Sequence, residues 1–393
     1  MISRTRVLIV DDSVIVRRML SDACAADPEL EVVGTAANGR LALAKIQSTP
    51  CDVVTLDVEM PGADGLETLQ EIRRHHPRLP VVMCSSLTER GAATTLEALA
   101  RGATDYITKP GTTGGPAARG LTSFLAELRV KLKGVARPQL SGGRRDLGGG
   151  RRTGAVSPHR EGSASVAAVS IGVSTGGPNA LAVLLPALPA NFPAPIFIVQ
   201  HMPPVFTRML AERLNAAASL PVREACAGEP VEAGTAYLAP GDWHMRVTRD
   251  AGRSSIALDQ GPPESSCRPA VDVLFRSVVE VYGAGCLGVV MTGMGRDGFR
   301  GAELIRAAGG QIVAQDEDTS VVWGMPGYVV NAGLADEVLP LAEIASGIVR
   351  RVRQAPGAAE ARLRRGRGAA EVKILSTGCQ KLESNPVAAC EVG

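Results

Sequence analysis

The chain has 393 residues, more than one ordinary domain uses and enough for two. Hydrophobic residues make up 45% but aromatics only 3%, so any core must be aliphatic, and the formal charge of +2 points neither toward nor away from a nucleic-acid or membrane partner. The opening MISRTRVLIVDD holds too short an apolar stretch for a signal peptide, and no segment reaches the roughly 18 apolar residues of a membrane span. The reading is a soluble, cytoplasmic protein with no membrane insertion. Of the eight cysteines none forms a CxxC pair. Cys24, Cys51, Cys84 and Cys286 lie in or beside apolar runs, as reduced core thiols do, rather than in a disulfide or zinc pattern.

In chain order, residues 4–133 alternate short apolar runs with amphipathic stretches. Val7–Val10, Val32–Val33, Val53–Leu56, Val81–Cys84 and Tyr106–Ile107 predict strands. Val16, Met19, Leu20 and Ala23, and again Ala92, Thr95, Leu96 and Leu99, carry helical spacing. Such alternation predicts an α/β domain, a five-stranded parallel sheet with helices on both faces. Residues 134–164 are rich in Gly, Arg, Ser and Pro and read as a flexible linker. Residues 165–350 resume the alternation, with strands expected at 166–173, 195–200, 236–239, 286–292, 311–315 and 328–330. Leu181, Leu184, Leu185 and Leu188 predict a helix with Pro178 in its first turn, giving a second, doubly wound α/β sheet. The stretch 351–393 is basic, lacks a hydrophobic pattern and reads as a disordered tail.

Asp11 and Asp12 follow the first strand directly, and Asp57 follows the third. Strand C-terminal ends share one edge of a parallel sheet, so three carboxylates converge there and call for a hard cation such as Mg2+. Ser85 ends the fourth strand and Lys109 follows the fifth, adding a hydroxyl and an ammonium to the same edge. One aspartate at a strand end is commonly a cap or turn residue. The combination suits phosphoryl transfer to a carboxylate, with Lys109 and Mg2+ neutralising the phosphoryl oxygens.

The segments VLIVDDS, LDVEMPGADGL, MCSS and DYITKP resemble a response-regulator receiver domain, flavodoxin-like in fold. That resemblance implies phosphorylation of Asp57 by a histidine kinase phosphodonor. It implies Mg2+ held by Asp11, Asp12 and Asp57 with the Glu59 backbone carbonyl. It also implies phosphate sensing by Ser85, Lys109 and the aromatic switch Tyr106.

In the second domain Ser174 (IGVSTGGP), His201 (IVQHMPP) and Asp297 (VVMTGMGRDG) each lie just past an expected strand. Hydroxyl, imidazole and carboxylate on one edge make an activated nucleophile. The chain order Ser, His, Asp differs from the familiar serine-hydrolase orders, and the Gly172-Ser174-Gly176 elbow pattern is a weak signal alone. Each residue has a plainer role open to it: Ser174 as a helix cap, His201 as a satisfied buried histidine, Asp297 as a turn residue. His244 and Asp272 are rivals for base and orienting acid.

SIGVSTGGP, QHMPPVFT, YLAPGDWHM, RPAVDVLF, MTGMGRDG and VWGMP resemble the catalytic domain of the chemotaxis protein-glutamate methylesterases, the CheB family. The resemblance implies a carboxyl-ester hydrolase, with catalytic Ser174, His201 and Asp297 and with Met294 on the oxyanion side. Its substrates would be γ-glutamyl methyl esters of methyl-accepting chemoreceptors, with receptor glutamines deamidated as well, and no cofactor for hydrolysis. The alternative from another class is a response regulator whose second domain binds a partner without catalysis. A nucleic-acid partner is not expected, because no helix-turn-helix pattern is present and the basic residues cluster in linker and tail.

Overall fold

A computed structural model describes residues 4–60, 65–109, 120–136 and 165–353. The N-terminal sheet is built from β1 (Thr5–Val10), β2 (Leu30–Ala36), β3 (Val53–Asp57), β4 (Val81–Ser85) and β5 (Asp105–Thr108). Its helices are α1 (Val14–Ala25), α2 (Gly39–Ser48), α3 (Gly65–His75), α4 (Glu89–Ala100) and α5 (Leu121–Ala136). All five expected runs are strands, parallel and in the order β2-β1-β3-β4-β5, a flavodoxin-like receiver arrangement. Alternate residues sort to opposite faces: Val7, Ile9 and Ile107 pack with Leu20, Phe124 and Leu128, while Leu8, Val54 and Met83 pack with Ala42, Leu69 and Leu96. Side chains of Ser13, Asn38 and Thr88 cap α1, α2 and α4 by accepting first-turn N–H groups.

The C-terminal domain continues with β6 (Ala168–Val173), α6 (Gly177–Leu184), β7 (Ile196–Gln200), α7 (Pro204–Ala217), β8 (Val222–Glu224) and β9 (Ala236–Leu238). Next come the hairpin strands β10 (His244–Asp250) and β11 (Arg253–Asp259), then α8 (Val271–Tyr282), β12 (Cys286–Val290) and α9 (Phe299–Ala307). The domain closes with β13 (Gln311–Gln315), α10 (Met325–Asn331), β14 (Glu337–Leu339) and α11 (Leu341–Arg353). Seven of these strands form a parallel sheet in the order β14-β13-β12-β6-β7-β9-β8; β10 and β11 pair apart from it. The central strands β12, β6 and β7 are wholly buried, which explains their unbroken apolar runs.

Some expectations need correction. Residues 328–330 are not a strand: Tyr328, Val329 and Val330 sit in α10, whose first turn holds Pro326. Helix α5 runs through Ala136, into the expected linker, because Leu128, Leu132 and Val135 continue one buried stripe. Helix α11 runs through Arg353, past the expected boundary at 350, because Ile344, Ile348 and Val352 do the same. The remainder of the expected linker, 137–164, and of the expected tail, 354–393, lies outside the described residues. Cys24, Cys84 and Cys286 are buried free thiols, and burial pushes their pKa values up to about 11, 12 and 12.

The receiver packs on the C-terminal domain within one compact unit. The Tyr106 ring of β5 stacks on the Phe206 ring of α7, with centroids 5.0 Å apart and planes within 10°. Asn179 of α6 donates to the Ala103 carbonyl at 3.0 Å. Arg213 of α7 donates to the Leu96 carbonyl of α4, and Arg208 pairs with Glu89. Val321 and Val322 pack against the core face that α5 covers.

Candidate phosphoacceptor pocket and active site

The register Val10↔Leu56 sets Asp11 beside Asp57 at the ends of β1 and β3. Carboxylate oxygens of Asp11, Asp12 and Asp57 lie within 4.8 Å of one another, Asp11 and Asp57 buried and Asp12 exposed. Lys109 Nζ bridges Asp11 Oδ2 at 2.8 Å and Asp57 Oδ2 at 2.9 Å. Burial pushes the Asp57 carboxyl up to about 6 even though Lys109 pulls it down. Burial also opposes charge on Lys109, but its two carboxylates outweigh that and raise its pKa. An all-oxygen set of three acids against one ammonium fits a hard divalent cation such as Mg2+. The Glu59 N–H donates to Asp57 Oδ1 at 3.3 Å, which keeps this main-chain segment against the pocket. Ser85 is fully buried and its hydroxyl donates to the Gly91 carbonyl of α4 at 3.0 Å.

On the second sheet, β6 and β7 are adjacent and end in the register Val173↔Gln200. Ser174 and His201 therefore follow neighbouring strands side by side. The buried Gln200 amide ties them, donating from Nε2 to the Ser174 carbonyl at 3.0 Å and the His201 carbonyl at 3.2 Å. Close packing fixes the loops here. A Cβ at Gly177 would overlap Gln200 Oε1, and one at Gly293 would overlap Met325 Sδ and crowd Ser174.

Asp297 reaches the same edge from the loop after β12. Its Oδ2 accepts from His201 Nε2 at 2.8 Å and from the Val271 N–H at 2.7 Å. Its Oδ1 accepts the N–H groups of Asp272 and Gly298, each at 2.9 Å. Two of those donors belong to the first turn of α8, where the helix dipole favours an anion. Burial disfavours the Asp297 charge, but His201 and these N–H groups outweigh it and hold the carboxyl below its ordinary value. Burial likewise opposes a charged imidazole, yet Cys267 and Asp297 on its two sides carry the His201 pKa up to about 10.

The structure thus brings His201 and Asp297 into direct contact and sets Ser174 on the adjoining strand end. No hydrogen bond joins the Ser174 hydroxyl to His201 among the described residues. The second ring nitrogen, Nδ1, instead faces Cys267 Sγ at 3.6 Å. Met294 lies in the loop beside Ser174, and its methyl group packs over Gly134 of α5. A cavity of about 620 Å³ opens between the receiver and this loop, with Lys133, Gly134, Met294, Trp323 and Tyr328 among its walls. Ser174, His201 and Asp297 do not line it.

The rival residues have other duties. His244 is buried, with Nε2 donating to the Pro262 carbonyl at 3.0 Å and Nδ1 accepting from the Ala270 N–H at 3.2 Å, so neither nitrogen is left for a substrate. Asp272 sits in the first turn of α8 and accepts from the Gly301 N–H at 2.7 Å, tying α8 to α9. Burial pushes its carboxyl up to about 6. Sequence reasoning missed Gln200 and Cys267. The QH pair at a strand end hinted at Gln200, but nothing in the sequence links Cys267 to a histidine so far away in the chain.

Fold and site together define a receiver joined to a doubly wound, parallel-sheet α/β domain with a candidate Ser, His, Asp edge. Residues 7–114 match the family model of the response regulator receiver domain, and residues 169–348 match that of the CheB methylesterase. The chain is 48% identical to the protein-glutamate methylesterase/protein-glutamine glutaminase of Trichodesmium erythraeum (strain IMS101), over 88% of this chain and 99% of that protein. It is 46% identical to the protein of the same description from Nocardioides sp. (strain ATCC BAA-499 / JS614), over 89% of this chain and 96% of that protein. The crystal structure of the Thermotoga maritima CheB methylesterase catalytic domain is 44% identical, covering 47% of this chain and 98% of that chain with a TM-score of 0.47. The chain belongs to the CheB family of response-regulator protein-glutamate methylesterases.

Proposed function

We propose that the chain hydrolyses γ-glutamyl methyl esters of chemoreceptors, releasing methanol, deamidates receptor glutamines at the same site, and is switched on by phosphate on Asp57. The observation that carries the hydrolase reading is the 2.8 Å His201–Asp297 pair beside Ser174 on adjacent strand ends. The names of the relatives support the substrate. No helix among the described residues is long and apolar enough to cross a membrane, in keeping with action from the cytoplasm on receptor helices.

In this reading Ser174 attacks the ester carbonyl, and His201 takes its proton once Nδ1 has left Cys267. Asp297, fixed by main-chain donors, holds the imidazole orientation. The N–H groups of Thr175 and Met294 donate to no other group among the described residues and are suited to an oxyanion. His201 returns the proton to departing methanol, then activates the water that frees a glutamate.

Asp11, Asp12 and Asp57, with the Glu59 carbonyl, would hold Mg2+, which neutralises phosphoryl oxygens when bound. A kinase phosphohistidine is the expected phosphodonor. Phosphate on Asp57 draws the Ser85 hydroxyl from the Gly91 carbonyl, loosening the first turn of α4. That helix carries the Glu89 and Leu96 contacts to α7, and Tyr106 stacks on α7 directly. Helices α6 and α7 start just after Ser174 and His201, so the receiver is positioned to restrain the edge until phosphorylation shifts the domain equilibrium.

Methanol release from methylated receptor, with and without a small phosphodonor, tests both parts. Loss in Ser174→Ala is expected, as is loss of stimulation in Asp57→Asn. Equal stimulation of Asp57→Asn and parent would refute the control mechanism. No methanol from any form would leave a non-catalytic, partner-binding output domain.

A further inference from the structure

We propose that His201 and Cys267 form a zinc-binding site at the heart of the hydrolytic edge, through which Zn2+ reversibly inhibits the enzyme. The consequence for activity rests on the functional reading above; the metal site itself does not.

Three observations converge. First, the donor atoms of His201, Cys267 and Asp297 lie within 4.8 Å of one another. Sulfur and imidazole nitrogen, from Cys267 and His201, are the donors that select Zn2+ over Mg2+ or Ca2+. Second, the spacing is that of two ligands on one ion. Zn–S of about 2.3 Å and Zn–N of about 2.0–2.1 Å at a tetrahedral angle put sulfur and nitrogen about 3.6 Å apart, and Cys267 Sγ lies 3.6 Å from His201 Nδ1. Third, the far side of the ring is already arranged as in metal centres. A ligating histidine commonly donates its other N–H to a carboxylate, and His201 Nε2 meets Asp297 Oδ2 at 2.8 Å. Asp297 is itself anchored by three main-chain N–H groups, so the imidazole is presented with little freedom to lose.

Among the described residues no other thiol, the half-buried Cys51 included, lies in such a donor cluster. Cys24, Cys84 and Cys286 are buried in apolar surroundings, and Cys226 is exposed. The acidic pocket around Asp57 has oxygen donors only and suits a harder ion. His201 and Cys267 are both partly exposed rather than sealed in the core. Once bound, Zn2+ occupies the ring nitrogen that faces away from Asp297 and removes the base that Ser174 needs. With only two protein ligands on the metal and water completing its shell, release by a chelator is expected to restore activity.

The test uses the full chain freed of metal, with excess Mg2+ present to fill the acidic pocket. Co2+ serves as a visible substitute for Zn2+. The parent should bind Co2+ with a thiolate-to-cobalt charge-transfer band that is lost in Cys267→Ser and Cys267→Ala and kept in Cys226→Ser. In parallel, Zn2+ should inhibit methanol release by the parent, with recovery on adding EDTA. Each variant's inhibition is read against its own metal-free rate, and Cys267→Ser, which removes a direct ligand, should weaken zinc inhibition by at least the roughly 10- to 100-fold that losing an outer partner of a ligand costs. A band and an inhibition constant unchanged in both Cys267 variants would overturn the proposal, as would Co2+ binding without any thiolate band. A Cys267-dependent band in a protein that hydrolyses no ester would uphold the metal site and sink the hydrolase reading instead.

Discussion

Replacing Phe206 with leucine should raise the activity of the unphosphorylated protein. Phe206 is fully buried where α7 meets the receiver, in one apolar cluster with residues of both domains. Leucine preserves an apolar side chain there, but as a large-to-small core change it costs on the order of 1–2 kcal/mol of fold stability. What the docked state alone loses is the stack on Tyr106, with centroids at 5.0 Å and planes within 10°. Such aromatic pairs contribute about 0.5–1.5 kcal/mol beyond burial, which shifts the docked–released equilibrium by about 2- to 13-fold. While the docked form dominates, the released fraction and hence basal methanol release should rise by that factor. The rate with saturating phosphodonor should stay near that of the parent. Tyr106→Leu should give a similar rise, and the double variant little more, since both remove one interaction. A folded Phe206→Leu protein with unchanged or lower basal rate would refute the argument that this stack restrains the site.

Gln200→Leu removes the amide that ties the Ser174 and His201 carbonyls, and should lower kcat by about 10- to 100-fold with KM little changed; steady-state methanol release checks it. Asp297→Asn places an N–H donor or an uncharged oxygen against His201 and should cut the rate about a thousandfold or more, with the fold intact by circular dichroism. Lys109→Met breaks the bridge to Asp11 and Asp57 and should abolish stimulation by phosphodonor, read as the ratio of rates with and without it. Glu337→Gln leaves Arg351, 3% exposed, without its carboxylate partner, and should cost about 1–3 kcal/mol in urea unfolding. Burial opposes the Glu337 charge, but Arg351 and Arg350 hold its folded pKa below the ordinary 4.5. The pair's contribution is therefore complete above that value and disappears as pH falls through the lower folded one. The stability gap between parent and Glu337→Gln should close in acid; a gap constant with pH would contradict the assignment.

The strands whose ends hold the candidate site residues were legible because they are buried on both faces. β1, β3, β6, β7 and β12 read as unbroken apolar runs, and residues just past their ends had to share an edge. Some short elements were not: β8 and β14 span three residues each, too few for any period, whereas β9, equally short, shows as the expected run 236–239. The run Tyr328–Val330 has β-branched residues yet lies in a helix, since so short an apolar stretch fits either periodicity. The β10–β11 hairpin alternates Met245 and Val247 against Ile256 and Leu258, but its turn is Ala251-Gly252, both at positive φ, without the Asn-Gly or Asp-Gly that signals such turns. Residue type named His244 and Asp272 as rivals; only their surroundings, a carbonyl and an N–H for one and a helix N–H for the other, assign them elsewhere. The thiol beside His201 was invisible because the contact joins positions 66 residues apart.

Two glycines beneath the proposed hydrolytic edge leave little room for change. Gly177 lies against the Gln200 amide, and Gly293 against Met325 and Ser174, so neither position accepts even a methyl group without displacing a neighbour. Descendants of this chain that drift toward other substrates must then do so through the mobile ends of surrounding side chains and through loops further out. At these two glycines the first step away from glycine already has to displace the Gln200 or the Met325 side chain.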